Sequence, residues 1–261
     1  HAKFLRSPYP HARVLRVDTS EAERLPGVKT VLCKNNAPRI KVPAVFNESR
    51  IFDIPRDKVL FDDKVRYAGE EVAVVAAVTE KIAEEALKLI KVDYEELPAL
   101  FNVKEAMRPD APLIHEDRDS NVASPLVIAS GNVEKGFKEA EHVFEEIFET
   151  QSQRHAAMET HCCVASFDME ENLTTWVSHQ TPHALQELLS EYLEIPLSKV
   201  RVIKLYLGGG FGGKLDMLIE HTCALLSRMS GRPVKIVLNR REVFSCTITR
   251  HADVIRLEVG V

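Results

Sequence analysis

Two hydrophobic patterns recur along this chain: short runs or alternations of strand type, and clusters at helical spacing. Val72-Ala-Val-Val-Ala-Ala-Val78 is a continuous apolar run of strand length, suited to burial on both faces. Thr79 stands where an N-cap belongs, ahead of a helix whose apolar residues Ile82, Ala86, Leu89 and Ile90 fall at i, i+4, i+7 and i+8. Lys91-Val-Asp-Tyr94 reads as the next strand. Further on, Leu173–Val177 reads as a strand, and Thr181 with Pro182 fits the N-cap and first position of a helix running to about Leu193. Residues Lys199 to Leu207 alternate with period two and predict a strand over that whole length. A helix through Ala224, Leu225 and Leu226 is closed by Gly231, with Pro233 soon after, and Val234–Leu238 follows as a strand. The alternation Val254-Ile-Arg-Leu-Glu-Val-Gly-Val261 ends the sequence. No internal repeat is visible. The pattern as a whole predicts a mixed α+β protein.

Composition sets the boundaries of that picture. With 261 residues, 45% hydrophobic and 28% charged, the chain has room for one large domain or two ordinary ones. Pro109, Pro112 and Pro125 interrupt a polar stretch that carries Arg108, Asp110, Glu116, Asp117, Arg118 and Asp119. Proline removes backbone donors and these charges favour water, so 109–125 is the expected linker between domains at 1–108 and 126–261. The net charge of −5 gives no reason to expect a nucleic acid or an anionic membrane surface as a partner. No apolar run approaches the roughly 20 residues needed to span a bilayer. The five cysteines (Cys33, Cys162, Cys163, Cys223 and Cys246) are odd in number and form no C-x-x-C, which predicts reduced thiols in a cytoplasmic protein. The chain opens at His1 without a Met and closes without a terminating element, so it reads as a fragment or one piece of a divided protein.

The candidate chemistry lies in Leu207-Gly-Gly-Gly-Phe-Gly-Gly-Lys-Leu215, which holds five of the 11 glycines. Gly208, Gly210 and Gly213 satisfy the dinucleotide pattern G-x-G-x-x-G. That reading needs an acidic residue about 20 positions on, at the end of the next strand, where Asn239, Arg240 and Arg241 stand instead. The stretch also comes within one residue of the triphosphate loop G-x-x-x-x-G-K-[ST], with Leu215 where the magnesium-ligating hydroxyl belongs. Five glycines exceed what a tight strand-to-helix turn requires. The residues themselves therefore point to a backbone-lined cradle that lets something flat or anionic come close.

Four stretches, in order, resemble the xanthine dehydrogenase and aldehyde oxidase family of molybdenum hydroxylases. Gly208–Lys214 is similar to the family's molybdenum-pterin loop. His1-Ala-Lys-Phe-Leu-Arg-Ser-Pro-Tyr-Pro-His-Ala-Arg13 resembles the opening of its α/β hammerhead domain. Val65–Ala76, with Glu85–Glu96, resembles that domain's central strand and helix. Ser178-His-Gln-Thr-Pro-His183 resembles the glutamine-bearing loop ahead of a helix. The resemblance implies a hammerhead domain followed by the first portion of a molybdopterin-binding α+β domain. It also implies that Gln180 hydrogen-bonds to an oxygen ligand of the metal, and that Phe211, Gly210 and Gly212 lie against the cofactor and present backbone amides. These residues would be neighbours of molybdenum, not ligands to it. Ala157-Met-Glu-Thr-His161 resembles a stretch usually written Met-Glu-Pro, with Thr160 in place of the proline, and Glu159 is expected to be structural. His155, His161, His179 and His183 are expected to be satisfied structural histidines. Pro182 starts the helix between the last two and keeps them off a common face.

In the family, a molybdenum-molybdopterin cofactor, in its plain or cytosine dinucleotide form, bears a sulfido or selenido ligand. A Glu acts as general base, and electrons leave through [2Fe-2S] clusters to FAD. The resemblance implies that the base lies in a C-terminal half outside this chain, so no catalytic residue is assigned here. The iron-sulfur and FAD domains or subunits, and the remaining half of the molybdopterin-binding region, would be its partners. The expected substrate is an electron-poor N-heterocycle, a purine such as xanthine or a nicotinate-like ring, or an aldehyde. Leu215 is the expected substrate-side residue: purine-oxidising members similar to the mammalian enzymes place a Glu there, and an apolar residue resembles other branches, including nicotinate dehydrogenases. Two alternatives stay open: a noncatalytic assembly module of such a complex, and a nucleotide-binding protein that uses the glycine loop.

Overall fold

The computed structural model describes residues 1–43, 56, 58–122 and 126–261. The chain packs into two compact units. One comprises His1–Leu97 with His155–Ile248, the other Pro98–Arg154 with Thr249–Val261.

A seven-stranded sheet organises the first unit. Its strands lie in the order Val200–Lys204, Leu173–Val177, Cys162–Phe167, Val234–Val237, Ala2–Arg6, Glu71–Ala77 and Val28–Cys33. The outer pair Leu173–Val177 and Val200–Lys204 is parallel, as is the contact Ala2↔Ile236 that joins the early and late parts of the chain; the other pairings are antiparallel. Sequence segments from both sides of the 109–125 stretch thus share one sheet. Within 109–125, Asn121 pins an irregular path by donating to the Ala106 and Pro112 carbonyls and accepting from the Ile114 amide. Residues 123–125 lie outside the described residues.

The run at Glu71–Ala77 is buried along its whole length, as a strand covered on both faces should be. Its residues alternate between two cores. Val74 and Ala76 join Phe4, Leu32 and the helical residues Leu185, Leu189 and Leu226. Ala73 and Val75 face the opposite cluster with Val14, Val17, Val31 and Ala86. A three-stranded antiparallel sheet built from Lys64–Val65, Ala12–Asp18 and Lys91–Glu96 contributes to that second core.

Thr79 caps the helix Glu80–Leu87 by accepting from the Ile82 amide at 3.2 Å. The helix stops at Leu87, so Leu89 and Ile90 lie beyond it rather than on its face; Ile90 is still buried in the core, delivered there by the turn into Lys91–Glu96. The helix Pro182–Leu193 matches the expectation, and Glu220–Ser230 is terminated by Gly231 in the left-handed conformation at φ 61°.

The strand expected over Lys199–Leu207 is shorter. A single 3-10 turn occupies Leu197–Lys199, and the strand runs Val200–Lys204. Its ladder ends at Val177↔Lys204, where the neighbouring strand ends. Leu205 and Tyr206 pair with no strand among the described residues and are exposed.

In the second unit Val143–Glu149 pairs antiparallel with Val254–Gly260, so the closing alternation is a strand. The helix Val133–Glu139 accompanies this ribbon, with the Phe137 ring close against Gly260.

Candidate cofactor site

The strand Val200–Lys204 leads into the glycine loop, which feeds the helix Glu220–Ser230. At the helix entrance the Glu220 carboxylate turns back to accept from the amides of Leu218 and Ile219 at 2.9 and 3.0 Å. Between these fixed ends, side chains from two other segments hold the loop by its backbone.

Gln180 is the first. Its Oε1 accepts from the Gly212 amide at 3.0 Å and from the Lys214 amide at 3.2 Å, while its own amide donates to the Lys214 carbonyl at 2.8 Å. Gly210 makes this possible: a Cβ there would lie 2.4 Å from Gln180 Oε1, far inside contact distance. With Oε1 taken by the loop, Nε2 is the end of this side chain without a partner among the described residues.

Glu159 is the second. Its Oε2 accepts from the Gly208 amide at 2.9 Å and from Lys214 Nζ at 2.8 Å, and the Glu159 amide donates to the Gly208 carbonyl at 3.1 Å. One carboxylate oxygen thereby ties both ends of the loop together. The Lys214 side chain is only 1% exposed. Burial acts to raise the Glu159 carboxyl, but the Lys214 ammonium and the Gly208 amide outweigh it and hold the group below the usual carboxylate range. The structural role expected for Glu159 is thus realised. Its pairing with Lys214 was not readable from the sequence, where Lys214 looked like the lysine of a triphosphate loop. Turned inward and ion-paired, that lysine is not presented to a phosphate.

The crown of the loop is a tight turn in which the Gly213 amide donates to the Gly210 carbonyl at 2.8 Å. Phe211 and Gly212 both adopt left-handed backbone, at φ 55° and 87°. For Phe211 this conformation is strained and must be imposed by its surroundings. Phe211 as a whole is 74% exposed. Gly208, Gly212, Gly213 and Lys214 all spend their amides within the protein, so among the described residues the backbone donors left without a partner on the crown are those of Gly209, Gly210 and Phe211.

Histidines support the loop from below. His161 Nε2 meets the Gly213 carbonyl at 2.8 Å, and burial lowers its ring below the ordinary histidine value despite that carbonyl. His179 accepts from the Thr181 amide at Nδ1 and reaches the Asp216 carbonyl through Nε2, both at 3.2 Å. His183 is exposed. Only His179 is satisfied at both nitrogens; the Nδ1 atoms of His155 and His161 are buried without a partner among the described residues, which departs from the expectation for them. No group of three metal-ligating side chains occurs among the described residues. Thr181 sits at the N-cap position, but its hydroxyl goes to the Leu215 carbonyl at 3.3 Å rather than to the helix, which leaves Leu215 half-buried at the loop's exit.

Strand, glycine-rich loop and helix, with the Gln180 side chain held against the loop, form a cradle lined largely by backbone. Residues 114–261, more than half of the chain, match the molybdopterin cofactor-binding domain family, and residues 1–98 match the aldehyde oxidase and xanthine dehydrogenase a/b hammerhead domain. The chain belongs to this family of molybdopterin-binding proteins. It is 38% identical over 260 residues to a probable xanthine dehydrogenase subunit of Bacillus subtilis (strain 168), covering 100% of this chain and 34% of that protein. It is 36% identical to the nicotinate dehydrogenase large molybdopterin subunit of Eubacterium barkeri, covering 100% of this chain and 59% of the relative. The crystal structure of quinoline 2-oxidoreductase from Pseudomonas putida 86 superposes with a TM-score of 0.88 at 29% identity, covering 100% of this chain and 33% of that one. The chain therefore spans between about a third and three-fifths of the length of these relatives. No helix among the described residues is long and apolar enough to cross a membrane.

Proposed function

We propose that this chain supplies the hammerhead domain and one half of the molybdenum-molybdopterin site of a hydroxylase. That enzyme would oxidise an electron-poor carbon of an N-heterocycle, a purine or a nicotinate-like ring, with water as the oxygen source. The observation that carries the reading is the arrangement of Gln180 under the loop. Its carbonyl end is fixed by the amides of Gly212 and Lys214, so the side chain is oriented before any cofactor arrives and its NH2 end is the one left to donate.

The residues present fit such a cofactor. The crown of the loop carries no side chain except Phe211, and at Gly208 and Gly210 a Cβ would collide with Glu159 and Gln180. When bound, molybdenum-molybdopterin supplies the redox centre and the activation of water. The chain's own residues bind and orient. Gln180 Nε2 would help hold the group by donating a hydrogen bond to an oxygen it carries. The amides of Gly209, Gly210 and Phe211 give the cofactor a polar edge, and the Phe211 ring shields it from water. Gly212 contributes by holding Gln180. Leu215 offers an apolar wall on the substrate side, which suits a heterocycle without a hydrogen-bonding group at that position. The general base, a Glu, belongs to a part of the protein outside this chain. The remaining half of the cofactor-binding region, together with [2Fe-2S] and FAD domains or subunits, completes the assembly.

The test is turnover of the native complex with xanthine and with nicotinate in heavy-oxygen water. Molybdenum in the complex and label in the product support the hydroxylase. A stable, metal-free complex without turnover would establish the assembly module instead.

A further inference from the structure

His155, His161, Gly210, Gly213, Lys214 and Thr247 are among the residues around a cavity of about 10 Å³ beneath the glycine loop. We propose that this cavity is a binding site for a single water molecule, held between Nδ1 of His155 and Nδ1 of His161, which forms part of the loop's floor.

Both ring nitrogens are buried and have no partner among the described residues, and His161 as a whole is 7% exposed. Both residues line the cavity, and both rings also bear on Gly213. His161 Nε2 is 2.8 Å from the Gly213 carbonyl, and a Cβ on Gly213 would lie 2.9 Å from His155 Nδ1. The chemistry of His161 follows from its partner. A carbonyl only accepts, so Nε2 carries the proton; burial disfavours the doubly protonated ring, so Nδ1 is an acceptor in need of a donor. Rotating the ring to satisfy Nδ1 would forfeit the bond to Gly213.

The occupant must donate to His161, reach His155 and fit the space. A cavity of this volume holds one water, for which on the order of 10–15 Å³ is needed, and nothing larger. A water has two donors and two acceptor sites, so it serves His155 Nδ1 in either tautomer. A cation is disfavoured because Lys214 lines the cavity, and the Glu159 carboxylate that also lines it is already paired with the Lys214 ammonium. A transition metal would want more ligands than two imidazoles. The water joins the segment carrying His155 to His161 and hence to Gly213. This inference stands on the cavity and its two nitrogens and does not depend on which cofactor the loop receives.

The test is a crystal structure of the full chain at a resolution that shows ordered solvent, supported by nitrogen NMR of the histidine rings. The expected result is one density peak within hydrogen-bonding distance of both Nδ1 atoms, with His161 as the Nε2–H tautomer and its Nδ1 shifted as a hydrogen-bonded acceptor. In His155→Phe, the peak should be lost while the His161–Gly213 bond persists. A wild-type cavity without density, or either Nδ1 bonded directly to protein, would overturn the proposal.

Discussion

Lys214 Nζ lies 2.8 Å from Glu159 Oε2, on the same oxygen that accepts the Gly208 amide, although the two partners are 55 residues apart in sequence. The lysine that looks poised for a phosphate is instead a rivet. Removing Glu159 alone strands a buried ammonium. We expect Glu159→Gln to lower stability by about 2–3 kcal/mol, less than the full cost of breaking a buried pair because the Glu159 side chain is 32% exposed. Adding Lys214→Met should restore part of the loss. Denaturant titration of Glu159→Gln, Lys214→Met and the double variant checks this, and additive losses would show that the two residues are not coupled.

Gln180→Ala removes the acceptor of two loop amides. It should cost about 1–3 kcal/mol of stability. If Nε2 also donates toward the cofactor, kcat/KM of the complex should fall by about 10²–10³-fold with little change in KM. A stability loss without a rate effect would confine Gln180 to holding the loop.

His221 is 2% exposed, sits edge-on to Tyr192 at 5.0 Å and has its Nδ1 without a partner among the described residues. Burial, helped by the Lys58 charge and opposed by Glu71, lowers its pKa from 6.5 to about 3. A depressed folded-state value means stability is fully present above pH 6.5 and is lost as the pH falls toward 3. At pH 5 the loss attributable to this ring is about 2 kcal/mol. The stability difference between pH 7 and pH 5 should therefore be smaller by about that amount in His221→Leu than in the wild type. Equal pH dependences would contradict the assignment.

Leu215→Glu should shift the ratio of kcat/KM values toward purines and away from nicotinate-like substrates by about tenfold, the effect of one added hydrogen-bonding group in a pocket. An unchanged ratio would remove Leu215 from the substrate side.

Much of the fold was legible because it is local. The apolar run at Val72–Ala77, the Thr79 cap, the Pro182 start and the Gly231 stop each declare themselves within a few residues, and each matches an observed element. What failed was tertiary. Leu205–Leu207 alternate like a strand but find no partner past Lys204. Nothing local says that Ala2 sits beside Ile236. At the site, glycine spacing revealed a close backbone approach, and the family resemblance singled out Gln180. The inward turn of Lys214 onto Glu159 depends on a contact between distant segments. So do the engagement of the Gly212 amide by Gln180 and the unpartnered nitrogens of His155 and His161. Periodicity carries no information about these.

Gly210 offers the sharpest test of the proposal that the loop held by Gln180 forms half of a molybdenum-pterin site. A Cβ there would lie 2.4 Å from Gln180 Oε1, so Gly210→Val must expel the Gln180 side chain from beneath the loop. The measurement is the molybdenum content of the purified complex containing the wild-type chain, beside the same complex with Gly210→Val. About one molybdenum per wild-type chain is expected, with a loss of at least about tenfold in an otherwise assembled variant. A wild-type complex without molybdenum, or a variant that retains it in full, would rule the proposed site out.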